Sequence, residues 1–593
     1  MKKRIFCLVM ALCLLAGLFT ACGGGKPEAA GEALFAERGS VERRSLENLV
    51  PAGNAEAVRA SLAAVGQTLA PDWAGEAEAA PRLRLAADPG PDEDTVATDG
   101  AYIYMLDSYG LIVCSAAGAA SEILSYTRVD RGGSGWSERL YVEGDRAAVV
   151  SAVSELGEDG EVLYNDAETR VILLDLADRR APRVLTETAV EGSLTEACLL
   201  DGTLCLVAQR TLAALPEQDE ALLPRLWEDG KELQLAPGDV YISPEPARTA
   251  LTVAAAVRLS DGRIADALAF TDGVDAVRVA GDCLWLARTV WSETASAPRQ
   301  EAPYTVVDYD TAARTELRKL RLENDQLRLE GGCVLEGALP DPSAMELLGS
   351  GLGLFTQKDS RSFSSFTDEK HGWTNYELHS LNRSAALSLL DRELQLSGAL
   401  TALGGEQNAG SCRFAGGLAW ITAGDAAAVY LTDLSDPARP TPSGSLSCPG
   451  ETLLLREFGE GFVLGIAEPG EGEDWELAVY DVTNPAAPVK AAGLRLEGKA
   501  PAASLTDPGA FFTDPVNGLI GFPIAGKNGN EYLLAAWDGS KLRTNGTFRP
   551  EYVPADARTL LLDGILYVCS PGELCVTDPE TMKVLATVTN AVG

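Results

Sequence analysis

The two histidines of the chain, His371 and His379, lie in one polar stretch, DSRSFSSFTDEKHGWTNYELHSL, running from Asp359 to Leu381. Four aromatic residues, Phe363, Phe366, Trp373 and Tyr376, accompany them. Imidazole and aromatic rings on one long insertion can form a recognition surface on a rigid scaffold. The alternative is a loop without a ligand, or an additional hairpin packed by its own aromatics. Nucleophilic hydrolysis fits poorly, because the nucleophile needs an activating base and the chain has no histidine elsewhere. No GxSxG turn, HExxH helix or P-loop lysine signature is present, and Gly349, Gly351 and Gly353 lack the closing glycine of a dinucleotide fingerprint.

Carboxylates are the other chemically able group. The chain has 86 Asp and Glu, so acid pairs suited to glycoside hydrolysis are bound to occur, and no chosen pair is informative. Oxygen ligands for calcium could come from Asp92, Asp94 and Asp99, or from Asp308 and Asp310, but no EF-hand spacing fits and turn capping accounts for most of these residues. No cofactor and no metal site are therefore expected. Of 12 cysteines, those after Cys22 form no CxxC pair. Cys198 and Cys205 flank Asp201-Gly202, and a two-residue turn there sets them opposite each other, which permits a disulfide outside the cytoplasm. In that register they form a hydrogen-bonded pair, and two buried free thiols suit it equally.

These residues hang on a scaffold that repeats. Glycine turns introduce apolar strands at Gly100, Gly144, Gly202, Gly281, Gly351, Gly417, Gly461, Gly518 and Gly564. Around several of them four short strands follow in succession, as at 558–562, 565–569, 574–577 and 583–587. Between Phe414 and Lys490 one motif occurs twice. Asp433, Asp436, Pro437 and Pro440 follow one strand, and Asp481, Asn484, Pro485 and Pro488 follow another 48 residues on. Asp175, Asp178 and Pro182 repeat it with Arg179 at the middle proline, and Asp578-Pro579 is a degenerate fourth copy. A strand-ending Asp folds its carboxylate onto nearby backbone N–H groups, and Pro presets the next corner. Many strands, such as 103–106 and 171–174, are apolar on both faces, which suits strands stacked between neighbours better than a sandwich with one wet face. Four-stranded units at this period are the blades of a propeller. The expected fold is all-β: a β-propeller of about eight four-stranded antiparallel blades, range seven to nine, over residues 92–593.

The N-terminus carries a different signal. Lys2, Lys3 and Arg4 precede an apolar run from Ile5, and Phe19-Thr20-Ala21 stands directly before Cys22. Residues 1–21 read as a lipoprotein signal peptide, with Cys22 as the lipidation site that ties the chain to a lipid bilayer. Residues 22–91 read as a flexible tether with one short helix, in which Val58, Leu62, Val65 and Leu69 share a face and Asn54 is the N-cap. Net charge is −37, or −40 without the three basic residues of the signal. Such acidity speaks against nucleic acid and anionic membrane surfaces as partners and leaves room for cationic ones.

Four features in serial order resemble the secreted β-propeller family of bacteria. They are DEDTVATDGAYIY (Asp92 to Tyr104), Leu389-Leu390-Asp391-Arg392-Glu393-Leu394, the two Asp-Pro turns above, and Phe511-Phe512-Thr513-Asp514-Pro515 leading into 519–523. The resemblance covers about Asp92 to the end. It departs at Glu451 to Phe458, ETLLLREF, where the family carries a His-containing stretch. It implies a propeller distantly related to WD-type repeats and an address outside the cytoplasm, and it carries no reaction. The expected function is a non-catalytic binding or scaffold lipoprotein at the outer face of the cytoplasmic membrane in the bacterial cell envelope, presenting loops to a protein, peptide or envelope glycan. The alternative is a carbohydrate-active propeller with Asp/Glu pairs at its central channel. Clustered acids beside Trp or Tyr there would favour the enzyme, whereas an aromatic content of 6% favours the scaffold.

Overall fold

The computed structural model describes residues 35–37, 41–47, 49–65, 84–85 and most of 94–589, apart from short internal segments. The signal peptide, Cys22 and Leu69 lie outside the described residues.

Each of the nine glycine turns stands between the first and second strands of an antiparallel four-stranded meander. At Gly417 the backbone adopts φ +71°, a conformation that a side chain resists, and Ala409–Ala415 folds back onto Leu418–Ala423. Ala428–Asp433 and Thr441–Ser447 complete that unit. The meanders span 96–128, 134–191, 193–271, 276–336, 345–403, 409–447, 452–495, 500–548 and 558–589. They occupy eight hydrogen-bonded sheets, because the fourth and fifth meanders share one sheet of eleven strands. The fold is thus an all-β, eight-bladed β-propeller in which one blade is double. The nine glycines mark the nine meanders, and the fusion of two explains why the number of sheets is smaller.

Among the described residues, a buried apolar cluster fills each junction between successive meanders. The last of these joins Ile103 and Cys114 of the first meander to Tyr567 and Val576 of the ninth, closing the ring. A side chain here is covered from both sides, which for a fully buried Val or Leu contributes about 1.5–3 kcal/mol. Arg558 reinforces the closure by donating to Asp94 at 2.9 Å.

The Asp-Pro motif has a tertiary purpose as well as a local one. Asp433 accepts from Ser435 N at 2.8 Å and Asp481 from Thr483 N at 3.0 Å, so each carboxylate caps its own turn. The turn then seats on the fourth strand of the preceding meander. Gly444 N donates to Pro485 O at 2.8 Å, and a Cβ on Gly444 would stand 2.4 Å from the Pro488 ring. A Cβ on Gly398 would likewise stand 2.3 Å from Pro437 O and 2.8 Å from the Pro440 ring. In the copy with Arg179, Ser125 Oγ donates to the Arg179 carbonyl at 2.7 Å, and the guanidinium ties Asp145 to Asp99.

The described parts of 35–63 wrap the outside of the ring. Phe35–Glu37 pairs with the outer strand of the fifth meander, Arg43–Ser45 with that of the fourth, and Val50–Pro51 with Val240–Ile242 at the edge of the third. Helix α1 (Ala55–Ala63) follows, with Asn54 accepting from Ala57 N at 2.9 Å. Its Val58 and Leu62 are sealed in the core between the second and third meanders. The long insertion at 210–239 folds as a hairpin, Arg225–Glu228 with Lys231–Gln234, onto the outer strand Arg183–Glu191. Cys198 and Cys205 face each other in register, both buried and not joined by a disulfide.

Candidate functional site

The double blade extends out of the ring. Its strands are β1 (Cys283–Ala295), β2 (Arg299–Glu301), β3 (Tyr304–Glu323), β4 (Gly351–Asp368) and β5 (Trp373–Leu390). The blade strand Leu418–Ala423 has six residues, whereas β4 and β5 have 18 each. At ~3.3 Å per residue the excess projects roughly 35 Å from the blade. Within this projection β3 pairs with β4, Thr305 opposite Thr367 through Thr311 opposite Arg361, which joins the two meanders. Neither hairpin stands alone, since an isolated hairpin is marginal in water and four paired strands are not.

The six sequence-predicted residues sit on β4, β5 and their tight turn rather than in a loop. Phe363 is fully buried, stacked on Tyr309 with ring centroids 5.0 Å apart and edge-on to Tyr376 at 6.1 Å. It holds the sheet together and is not available to a ligand. Phe366 and Trp373 both pack on Tyr304, at 6.2 and 5.5 Å. Trp373 remains 40% exposed, Tyr376 38% and Leu378 39%. His371 caps the turn by contacting the Asp368 carboxylate at 2.8 Å. Every residue from Glu369 to Ser380 is exposed. The sequence reading missed Tyr304, Tyr309 and Leu378. The two aromatics of β3 stand five positions apart, and their partners on β4 lie more than fifty residues away.

His379 is the extra residue of a β-bulge, for Ser362 pairs with Ser380 and Phe363 with Leu378. The bulge turns its ring so that Nε2 lies 2.5 Å from Ser364 Oγ, which also contacts Asp308. Serine, histidine and aspartate thus meet, but in the wrong order for nucleophilic catalysis. Hydrogen bonds from Arg299 and then Ser364 hold the Asp308 carboxyl below its usual range, so it is an ionised acceptor. The single Ser364 proton is therefore donated to Asp308, and Ser364 accepts from His379 Nε2–H. An imidazole that donates to the serine cannot take its proton. The group acts as a cross-strand brace.

At the inner rim the first strands of successive meanders converge, with 96–98 beside 134–143, 276–280 beside 345–348 and 409–415 beside 452–457. Acids found here are held by arginines of neighbouring meanders. Arg139 pairs with Glu196, Arg413 with Asp341 at 3.0 Å, and Arg558 with Asp94. Arg278 stands 3.8 Å from Glu346. Such pairs lock meander to meander. Each of these acids is thus paired with an arginine rather than with a second carboxyl, although burial outweighs Arg558 and raises the Asp94 carboxyl above its usual range. Asp94 and Asp99, weighed above as calcium ligands, are engaged by Arg558 and by the Ala101 and Tyr102 N–H groups respectively. Asp92 lies outside the described residues.

A cavity of about 540 Å³ opens where Arg44 and Glu47 pass over Glu245, Arg314 and Glu316. Within it Arg314 donates to both Glu245 and Glu316. Beneath it Arg288 pairs with Asp272 and Glu316. Deeper still, burial and then the charge of Arg288 pull the Arg318 guanidinium down to about 9, with Ser243 Oγ as acceptor at 2.7 Å.

A closed ring of radially stacked four-stranded sheets defines the class as β-propeller. The chain belongs to the Beta propeller domain family, whose model matches residues 89–582. An uncharacterized protein of Archaeoglobus fulgidus is 23% identical over 484 residues, covering 73% of this chain and 74% of its own length. Among solved structures, AztD of Citrobacter koseri is similar with a TM-score of 0.31 and 11% identity, over 83% of this chain and 94% of that one. The periplasmic gluconolactonase PpgL of Pseudomonas aeruginosa gives 0.30 and 12%, over 57% and 90%. Scores this low say nothing about what this chain binds.

Proposed function

We propose that the protein is a non-catalytic binding module of the bacterial cell envelope, anchored through Cys22 to the outer face of the cytoplasmic membrane, which engages a protein, peptide or envelope glycan. The observation that carries this reading is the projecting sheet. It is braced on ring strands, yet it leaves Trp373, Tyr376 and Leu378 in solvent, and exposed apolar groups on a rigid element mark contact surfaces. The Asp308–Ser364–His379 order weighs against serine-nucleophile hydrolysis, and the pairing of Asp94, Glu196 and Asp341 with arginines rather than with second acids weighs against the carbohydrate-active alternative. From Cys22 to Phe35 the chain spans at most about 45 Å at ~3.5 Å per residue, so an anchored ring would stay close to the bilayer.

The test is capture from membranes of the source organism, with the full chain in mild detergent and a Trp373→Ala, Tyr376→Ala, Leu378→Ala variant alongside. A specific protein or glycan bound by the first and lost from the second is expected. Shortening of envelope polysaccharide by the wild-type chain would overturn the reading.

A further inference from the structure

The outer half of β5 is a free sheet edge. Its inner half, from Ala385 to Leu390, is covered by Leu396–Leu403, but among the described residues Trp373–Ser380 pairs with β4 alone. One line of backbone N–H and C=O groups therefore faces water. Ordinary edges are blunted by shortness, proline or lysine. This one has eight exposed residues without proline or lysine, with one charge at Glu377 and its bulge confined to His379 near the ring-side end, and it presents Trp373, Tyr376 and Leu378. Of the ten large apolar side chains exposed among the described residues, these three share six consecutive positions.

The molecule shows how such edges are completed. Phe35–Glu37 and Arg43–Ser45 add as extended strands to the outer edges of the two meanders that build the projecting sheet. The second segment is basic: Arg43 and Arg44 pair antiparallel to Leu335 and Val334, and Arg43 Nε donates to Leu394 O at 2.8 Å. An arginine-bearing extended segment on an acidic ring is thus already part of the fold. With a net charge of −37, a second copy of the chain is repelled from the free edge, whereas a cationic segment is drawn to it.

We infer that the Trp373–Ser380 edge takes an extended, arginine- or lysine-bearing polypeptide segment by β-strand addition. Main-chain hydrogen bonds along β5 supply the register, and Tyr376 and Leu378, two positions apart on one face, cover the apolar side chains of the added strand, with Trp373 on the opposite face. The inference rests on the binding-module reading and narrows its partner to a protein segment.

The experiment uses the full chain in detergent and three synthetic dodecapeptides: alternating Val and Arg, alternating Val and Glu, and the Val/Arg peptide N-methylated at every residue. Amide hydrogen exchange is followed over 373–380, with 250–258 as a reference for ring integrity. The Val/Arg peptide is expected to slow exchange over 373–380 at least tenfold, and the other two to leave it unchanged. Tyr376→Ala combined with Leu378→Ala is expected to weaken that peptide about tenfold without altering exchange at 250–258. Unchanged exchange with the Val/Arg peptide overturns the proposal, and so does equal protection by the glutamate or N-methylated peptide. Protection that rises with protein concentration in the absence of peptide assigns the edge to a second copy and also overturns it. Should membrane capture depend on Trp373, Tyr376 and Leu378 while no peptide protects the edge, strand addition fails and the binding-module reading stands.

Discussion

Two strands of this propeller, Ala250–Arg258 and Trp373–Ser380, have opposite surroundings. In Ala250–Arg258 eight consecutive residues are buried on both faces, in register with Thr203–Thr211 on one side and Ile264–Thr271 on the other. In Trp373–Ser380 eight consecutive residues are exposed, with one neighbouring strand. The first is rich in alanine because adjacent sheets press on it from both sides. The second carries large aromatic and aliphatic groups, Trp373, Tyr376 and Leu378, that remain 38–40% exposed. Of these two strands, the one pressed by neighbouring sheets carries the smaller side chains and the one at the free edge the larger.

The sharpest way to break this contrast is to place the same charge in both strands. Ala255→Asp puts an unpaired carboxylate into a site with no exposure, and loss of the cooperative thermal transition is expected. Tyr376→Asp on the exposed strand should shift stability by less than about 0.5 kcal/mol. Comparable destabilisation by the two, measured by calorimetry, would remove the distinction. Gly444→Val should cost about 1–3 kcal/mol, since its first side-chain carbon would collide with Pro488 of the next meander. Gly372→Ala, in the open turn of the projection, carries only the strain of φ +69° and should cost about 1 kcal/mol. The smallest effect is on pH response. The Asp308 carboxyl is depressed, so its brace to Arg299 and Ser364 is complete above the ordinary aspartate range and is lost as pH falls through the folded value. Amide exchange at 361–367 is expected to accelerate below about pH 4 while 250–258 stays protected. Simultaneous loss of both would show that the projection is not separately sensitive.

Much of the ring was legible because its signals are local. Each glycine turn lies within a few residues of the two strands it joins. The Asp433 and Asp481 caps close over two residues, and Asn54 reaches three residues into α1. The final meander read as 558–562, 565–569, 574–577 and 583–587 is found as Arg558–Leu562, Ile565–Ser570, Glu573–Asp578 and Lys583–Thr589. The site was legible only in its residue types. His371, Trp373 and Tyr376 stood out, but Phe363 stood out equally and proves to be a buried spacer. Its partner Tyr309 lies 54 positions earlier, and no period in the sequence connects the two.

What the amino-acid sequence determined by itself was the repeating unit: strand length, turn position and the alternation of apolar faces, all set by backbone preferences and side-chain burial within about fifty residues. Tertiary structure decided what the units did with their surplus. It fused two of them into one sheet through Thr305 to Thr311, drew Arg43–Ser45 onto a distant edge, and left Trp373–Ser380 with one side unpaired. Those outcomes depend on which backbone donors and acceptors meet after the ring has closed, and hydrogen bonds between segments that far apart leave no mark on local composition.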